Sequence, residues 1–275
     1  MSDSQIDPDQ FTRAGSITKD YYRDVYPTID PTRSELSQTG KVTIVTGAGK
    51  GIGRAIARAH AQSGVKGLVL ITQSTQSAKE TKAIVEAEFP AVDVLALPTD
   101  ITDETALAQT FATIKEKFGT AVHTLVNNAG VFASVGPVAD SDSTTWWKDF
   151  EAADFQPTIV NFISTIALTP PGLSSYFISK LGVAKFTEFI AAENPRVAAY
   201  SLSPGIVLTS MTLDGFKPFA KDTPELPSAV TVYLAAKRPQ YLNGRHLSAN
   251  WDLAELEARQ SEFSSSEKLT VGQFI

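Results

Sequence analysis

The chain has 275 residues, 43% of them hydrophobic, which is enough for one large α/β domain or two small ones. Its net charge is −6 and its Lys and Arg residues are not clustered, which argues against nucleic acid or an anionic membrane as the main partner. Cysteine is absent and the three histidines lack the spacing of metal ligands, so we predict no disulfide, no thiolate chemistry and no metal site.

Residues 1–40 form a polar leader, interrupted by Pro27, Pro31 and Gly40. We expect it to be an N-terminal extension with little secondary structure, ahead of a single domain over 41–275. Its opening, MSDSQIDPDQ, is unlike a secretory signal, and no apolar run in the chain is long enough to cross a bilayer. We therefore expect a cytoplasmic protein that does not span a membrane.

Beyond Gly40, short β-branched and apolar runs alternate with longer segments of helical periodicity. We predict strands at residues 41–46, 66–72, 92–98, 123–128, 158–164, 197–203 and 245–249. We predict helices near residues 51–63, 76–88, 103–117, 144–155, 174–193 and 224–236.

Several predicted strands, such as GLVLIT at 67–72, are continuously apolar instead of alternating. This pattern is typical of strands covered by helices on both faces of a parallel sheet. Strand–helix alternation repeated this often predicts a doubly wound, Rossmann-like α/β domain. An antiparallel α+β fold is the alternative, and it is disfavoured because hairpin turn signals do not separate consecutive strands.

A glycine-rich turn, TGAGKGIG at 46–53, follows the first predicted strand and leads into a helix. Such a turn lets backbone N–H groups approach a pyrophosphate at the helix N-terminus. A mononucleotide P-loop is the competing reading. It fails because Ile44 stands where its first glycine should be and Gly51 stands where Ser or Thr must follow Lys50. The turn therefore predicts a dinucleotide site.

The second predicted strand ends in LITQSTQ, with no Asp or Glu over 71–76 to bind the ribose hydroxyls of NAD. Lys50, in the glycine turn, could instead face a 2′-phosphate, although it could also be a solvated loop lysine. We therefore predict NADP as the cofactor, with NAD as the less favoured alternative.

Tyr176 and Lys180 lie four residues apart in SSYFISK. Taken alone, this pair is two neighbours on one face of an ordinary helix. The chain also contains NNAG at 127–130 and SPGIVLTSM at 203–211. Together with the glycine turn, in this order, these motifs resemble the short-chain dehydrogenase/reductase family. The leader sequence VYPTIDP and the ending GRHLSANWD are similar to the branch of that family found in fungal biosynthetic pathways.

The resemblance implies that Tyr176 exchanges a proton with the substrate oxygen. Lys180 would favour the phenolate by its positive charge, lowering the pKa of Tyr176, and would hold the nicotinamide ribose. Ser164 is the best match to the serine that orients the substrate oxygen, with Thr165 as an adjacent hydroxyl in reserve. Ser174 and Ser175 are nearer in sequence, but we expect them to open the helix, where capping is their ordinary role.

The same resemblance implies further cofactor contacts. Asp100 would meet the adenine, unless it caps a helix, a role that Asp103 could fill instead. Asn127 and Asn128 would border the ribose and brace the sheet. The pyrophosphate would be lined by Gly47, Gly51, Ile52 and Gly53. The nicotinamide carboxamide would be held by Val207 and Thr209.

The implied reaction is hydride transfer between NADPH and a carbonyl or secondary alcohol. We expect the segment 212–227, which we call the lid, to select the substrate through Phe216 and Phe219, unless these rings only pack against the core. Two alternatives stay open: a nucleotide-binding protein that is catalytically impaired, and an epimerase or dehydratase on the same fold.

The family resemblance is interrupted between NNAG and SSYFISK. Residues 144–155 resemble the start of a long helix that then ends at Pro157, and no asparagine lies between Asp140 and Pro157 to join a proton relay. Asn161 lies in the next predicted strand. We therefore expect a protein that binds cofactor but is less stable, forms homo-oligomers weakly or abnormally, and turns over slowly.

Overall fold

In a computed structural model, the structure describes residues 7–119, 122–130, 158–164, 172–194 and 197–271. Within them, seven strands form one parallel sheet in the order β3-β2-β1-β4-β5-β6-β7. The strands are β1 (Val42–Thr46), β2 (Gly67–Thr72), β3 (Asp93–Pro98), β4 (Thr124–Asn127), β5 (Thr158–Phe162), β6 (Ala198–Ser203) and β7 (His246–Ser248). The predicted doubly wound α/β fold is confirmed.

The helices of the described residues are α1 (Gln10–Ala14), α2 (Gly51–Gln62), α3 (Thr75–Glu88), α4 (Glu104–Phe118), α5 (Ser174–Glu193), α6 (Glu225–Lys237), α7 (Leu253–Ala258) and α8 (Gln260–Ser264). The predicted helix at 144–155, the shortened connection around it and Thr165 lie outside the described residues. The expectations that rest on them stay predictions.

The continuously apolar strands are explained by a core on each face of the sheet. In β2, Leu68 and Leu70 pack with α2, α3 and α6 on one face, whereas Val69 and Ile71 pack towards α4 on the other. All four side chains are buried. Because successive side chains point to opposite faces, a strand covered on both sides has no polar position to alternate with.

The middle of the leader belongs to the core. Ile29 and Leu36, at the ends of two short 3-10 helices (Pro27–Ile29 and Ser34–Leu36), are fully buried in the cluster that covers one face of the sheet. Tyr26 is also buried there, and its hydroxyl donates to the carbonyl of Trp251 at 3.1 Å. The leader is thus packed against residues more than 200 positions away in sequence.

The outer face of α5 is apolar. Ile178, Leu181, Phe186 and Phe189 are all exposed, Phe189 to 53%. The inner side of the helix packs Ile190 against Ile159 of β5 and Ala199 of β6. This packing holds α5 against the sheet, and the first two turns, with Tyr176 and Lys180, lie near the carboxyl end of β5.

Candidate active site

The glycine turn after β1 is held by close backbone packing. Gly47 has φ +65°, and a Cβ there would lie 2.8 Å from Nδ2 of Asn128. A Cβ at Gly53 would lie 2.1 Å from the carbonyl oxygen of Gly47. Neither position can accept a side chain, so the turn and the start of α2 pack directly on the residues that follow β4.

Asn127 and Asn128 contact different parts of the sheet. Nδ2 of Asn128 donates to the carbonyl of Thr46 at 3.0 Å, while its backbone N–H donates to the Thr46 hydroxyl at 3.1 Å. Nδ2 of Asn127 donates to Oδ1 of Asn161 at 3.0 Å, and Asn161 in turn donates to the hydroxyl of Thr187 on α5 at 2.9 Å. Asn128 therefore braces the glycine turn, and Asn127 links β4 through β5 to α5.

The end of β2 meets the glycine turn at a cluster of hydroxyl groups. A Cβ at Gly49 would lie 2.3 Å from the hydroxyl of Ser77 and 3.1 Å from that of Thr72. The hydroxyl of Ser74 caps α3 by accepting from the N–H of Ser77 at 3.2 Å. The side chain of Lys50 is exposed. Lys50 follows Gly49 in the chain. The N-terminus of α3, the hydroxyls of Thr72 and Ser77, and Lys50 therefore border one surface at the end of β2.

Arg54 braces this surface and was not predicted from the sequence. Its Nη2 donates to the carbonyl of Gly49 at 2.6 Å, and its Nε donates to the hydroxyl of Thr81 at 3.0 Å. The same guanidinium lies 3.3 Å from Glu80. Its position one turn into α2 was the only feature that could have suggested this role.

Asp100 follows β3 and does not cap α4. That helix is capped by Asp103, whose Oδ1 accepts from the N–H groups of Thr105 at 2.9 Å and Ala106 at 3.0 Å. Asp100 instead accepts from the backbone and hydroxyl of Thr102, which lower its pKa. Gln73, at the end of β2, also donates to Asp100 at 2.9 Å. Asp100 is thus an exposed carboxylate held beside the end of β2.

Tyr176 and Lys180 both lie in the first two turns of α5. Nζ of Lys180 donates to the carbonyl of Phe162, the last residue of β5, at 3.2 Å and lies 5.7 Å from the centre of the Tyr176 ring. A Cβ at Gly130 would lie 3.4 Å from the same Nζ. The ammonium group is therefore held between β5, the NNAG segment and the tyrosine ring.

Contrary to expectation, Ser174 does not cap α5. It is the first helical residue, the cap position is Leu173, and the Ser174 hydroxyl is buried without a hydrogen-bond partner among the described residues. The predicted helix bounds of 174–193 are confirmed, but they place Ser174 inside the helix, so the capping expectation was wrong.

A cavity of about 300 Å³ lies beyond the carboxyl ends of β5, β6 and β7. It brings together five of the residues predicted from the sequence: Ile52, Ser164, Tyr176, Val207 and Thr209. Its position beyond the carboxyl ends of the strands is where open α/β sheets bind ligands. The other predicted site residues do not line the cavity: Gly47, Lys50, Gly51, Gly53, Asp100, Asn127, Asn128 and Lys180.

The loop after β6 is held by hydroxyl contacts. The hydroxyl of Thr212 accepts from the N–H of Thr209 and donates to the carbonyl of Val207, both at 2.8 Å. A Cβ at Gly51 would lie 3.7 Å from Cγ2 of Thr209, so the loop faces the glycine turn.

Asp222 holds the same loop through a hydrogen bond to its backbone, a role that was not predicted from the sequence. Its buried carboxylate accepts from the N–H of Ile206, from Nδ2 of Asn250 at 2.8 Å and from Nη1 of Arg23 at 2.9 Å. Burial raises the pKa of Asp222, and the three donors oppose that rise. The partners are 16, 28 and 199 residues away, so no local sequence pattern indicates them.

The lid contributes one of its two phenylalanines to the cavity. Phe216 lies in a 3-10 helix (Asp214–Phe219) and lines the cavity, whereas Phe219 packs edge-on against Phe11 of α1 with ring centres 4.7 Å apart. The leader itself lines the cavity through Phe11, Thr12 and Gly15. Polar composition alone did not indicate that the leader reaches the site.

Within the described ranges, no helix is long and apolar enough to cross a membrane. No group of His, Asp or Glu side chains in those ranges is arranged to hold a metal ion.

Comparison with known proteins points to one family. The model of the short chain dehydrogenase family matches residues 41–155. The chain is 37% identical to the short chain dehydrogenase mpl6 of Monascus purpureus, covering 91% of this chain and 94% of that protein. It is 32% identical to the short chain dehydrogenase andI of Emericella variicolor, covering 94% and 98% respectively.

Solved structures share the same fold. A short-chain dehydrogenase/reductase mutant from Serratia marcescens is 26% identical with a TM-score of 0.67, covering 77% of this chain and 96% of that one. A dehydrogenase/reductase from Sinorhizobium meliloti 1021 is 22% identical with a TM-score of 0.69, covering 81% and 97% respectively, a likeness of fold.

Proposed function

The chain belongs to the short-chain dehydrogenase family, in the branch that contains these fungal relatives, and we propose that it is an NADP-dependent oxidoreductase of a biosynthetic pathway. It would transfer a hydride between the nicotinamide and a carbonyl or secondary alcohol. One observation carries the proposal: Ser164, Tyr176, Val207 and Thr209, from β5, α5 and the loop after β6, line a single cavity beside the glycine turn.

The turn fits a dinucleotide. Lys50 occupies the cap position of α2 without a side-chain cap, so the first N–H groups of this twelve-residue helix have no side-chain acceptor. Those groups would bind the pyrophosphate, and Gly47 and Gly53 let the turn pack closely under it. Thr209 would hold the carboxamide. When bound there, the nicotinamide supplies or accepts the hydride.

The residues of this chain would move the proton. In the reductive direction, the hydroxyl of Tyr176 donates its proton to the carbonyl oxygen, which becomes the alcohol oxygen, while Ser164 donates a hydrogen bond to the same oxygen. Lys180 favours the resulting phenolate through its charge. Its bond to the carbonyl of Phe162 holds that charge beside the tyrosine ring.

NADP is favoured over NAD by the surface at the end of β2. A 2′-phosphate placed there would meet the N-terminus of α3, the hydroxyls of Thr72 and Ser77, and the charge of Lys50. Gln73 directly follows β2, and its side chain already donates a hydrogen bond to Asp100. No carboxylate from residues 71–76 is available for the ribose hydroxyls.

The test is a cofactor titration followed by a carbonyl screen. We expect NADPH to bind and at least one ketone to be reduced, with one alcohol formed per NADPH consumed. Binding without turnover on any ketone would instead favour a non-catalytic nucleotide-binding protein. A product formed with no change in NADPH would favour an epimerase or dehydratase.

A further inference from the structure

The part of the cavity lining that the structure describes is uncharged and largely apolar. Among the described residues that line it, none is Lys, Arg, Asp or Glu. Its walls include Ile163, Leu173, Val207, Met211 and Leu213. A charged substrate would lose its hydration in such a site without gaining a partner, which is costly. The described lining therefore favours an uncharged compound with a large apolar surface.

The leader supplies an aromatic wall to this cavity. Phe11 lies 6.1 Å from Phe216 of the lid between ring centres, with the two ring planes tilted by 42°, and both rings line the cavity. Offset and tilted aromatic pairs at such distances are favourable and present ring faces and edges to a ligand. A ligand with a flat ring system fits this wall better than a flexible chain does.

This wall is fixed in place by the far end of the chain. Nε1 of Trp251 donates to the carbonyl of Gly15 at 3.0 Å, and Nη1 of Arg259 donates to the carbonyl of Ile17 at 2.8 Å. The N–H of Tyr22 donates to the carbonyl of Asn250 at 2.9 Å. A ligand that binds against the leader therefore does not have to order it first.

His246 adds one specific polar group to the same cavity. Its ring packs edge-on against Trp251 with centres 5.4 Å apart, and within the described part of the chain its two ring nitrogens have no hydrogen-bond partner. Burial lowers the pKa of His246 to about 4, so the ring is neutral at physiological pH. A neutral imidazole offers one donor and one acceptor.

We propose that the cavity takes an uncharged, ring-bearing ketone with a second neutral oxygen, that His246 binds that oxygen, and that Phe11 of the leader packs on the ring. This inference rests on the proposed oxidoreductase function, because it places the ketone at Tyr176 and Ser164. His246 and Phe11 are specificity residues that contact the substrate, and neither takes part in the transfer.

The test uses 1-tetralone as an apolar ring ketone, its 5-, 6- and 7-hydroxy isomers, and 6-carboxy-1-tetralone. Their binding to the full chain saturated with NADP⁺ is measured by calorimetry, which needs no turnover. We expect at least one hydroxy isomer to bind about 5–10-fold more tightly than 1-tetralone, and the carboxylate to bind more weakly than 1-tetralone. If no hydroxy isomer is preferred, or if the carboxylate binds best, the inference is wrong.

Variants assign the preference to residues. His246→Phe keeps a ring against Trp251 and should reduce the preference to less than about 2-fold, whereas His246→Gln should keep part of it. Phe11→Ala should weaken all tetralones about 3–10-fold without changing the affinity for NADP⁺. Ile17→Ala, in the leader but outside the cavity lining, is the matched control and should change neither.

The two proposals can fail separately. A His246-dependent preference in binding, with no reduction of any ketone, would contradict the oxidoreductase function and leave the cavity assignment standing. Reduction of the tetralones with no preference among them, or a preference unchanged in His246→Phe, would contradict the cavity assignment and leave the oxidoreductase function standing.

Discussion

Nη1 of Arg23, in the leader, lies 2.9 Å from Oδ1 of Asp222, whose side chain is fully buried within the lid. The other carboxylate oxygen accepts from the N–H of Ile206, in the loop after β6 that faces the glycine turn. One ion pair therefore ties the leader, the lid and the loop after β6 together.

We predict that Arg23→Met destabilises the protein by about 3 kcal/mol, because the buried carboxylate of Asp222 loses its cation. Arg13→Met is the matched control, since it removes an ion pair with Asp7 in which both side chains are about half exposed. Such pairs contribute less than about 1 kcal/mol. Urea unfolding measures both. Equal losses for the two variants would show that the Arg23 pair is not a structural link.

The glycine turn should not tolerate a side chain at Gly53. A Cβ there would collide with the carbonyl of Gly47 and with Asn128, so we expect Gly53→Ala to cost more than about 2 kcal/mol and to abolish dinucleotide binding. Gly215→Ala is the control, because a Cβ at Gly215 meets no atom within 4 Å. Thermal unfolding and a cofactor titration report both effects. A Gly53→Ala protein that binds cofactor normally would contradict the described packing.

Lys50→Ala should narrow the preference for NADPH over NADH. We expect the dissociation constant for NADPH to rise about 5–10-fold, which is about 1–1.4 kcal/mol, with little change for NADH. The effect should shrink at high salt, because Lys50 is exposed. Lys66→Ala, at the opposite end of β2, is the control. If the wild-type protein binds NADH as tightly as NADPH, the assignment of a 2′-phosphate site at Lys50 is wrong.

Stability should fall as the pH drops from about 6.5 towards 4. Burial, with a smaller effect of Lys41, lowers the pKa of His60 to about 3, and burial lowers that of His246 to about 4. In the unfolded chain both titrate near 6.5, so the unfolded state binds more protons in this range. Each extra proton contributes a slope of about 1.4 kcal/mol per pH unit.

The variant His60→Gln isolates one of these protons. We expect the slope of the unfolding free energy between about pH 6 and 4.5 to fall by up to about 1.4 kcal/mol per pH unit. Groups common to both proteins, including Asp222 with its raised pKa, cancel in the comparison. Equal slopes in the two proteins would mean that His60 takes up a proton in the folded state.

The fold was predictable because its signals are local. The continuous apolar run of β2 and the turn residues 47–53 each fix a structure within a few residues of themselves. The predicted strands, and those predicted helices that fall within the described residues, therefore agree with the structure to within two residues. The positions of Ser164 and Tyr176 follow from the ends of such elements.

The rest of the site depends on contacts across the chain. Arg23 meets Asp222 across 199 positions, and Trp251 meets Gly15 across 236. Hydrophobic periodicity describes which face of an element is buried but not which distant segment covers it. The leader reads as a polar extension in the sequence, yet Ile29 and Leu36 are core residues and Phe11 lines the cavity.

The role of Lys180 differs from that of Tyr176 and can be tested beside it. Its ammonium touches β5 and is expected to touch the cofactor ribose as well as favouring the phenolate. Lys180→Ala should therefore weaken NADPH binding and turnover together. Tyr176→Phe, which removes only the phenolic oxygen, should affect turnover alone.

The most direct test of the account is turnover by Tyr176→Phe, measured as NADPH consumption with the best ketone of the screen. We predict a fall of at least about 10³-fold in kcat, with the dissociation constant for NADPH changed less than about 2-fold, because only the proton donor is removed. Tyr21→Phe, outside the cavity lining, should behave as wild type. Turnover near the wild-type rate in Tyr176→Phe would contradict the claim that this cavity is a short-chain dehydrogenase active site.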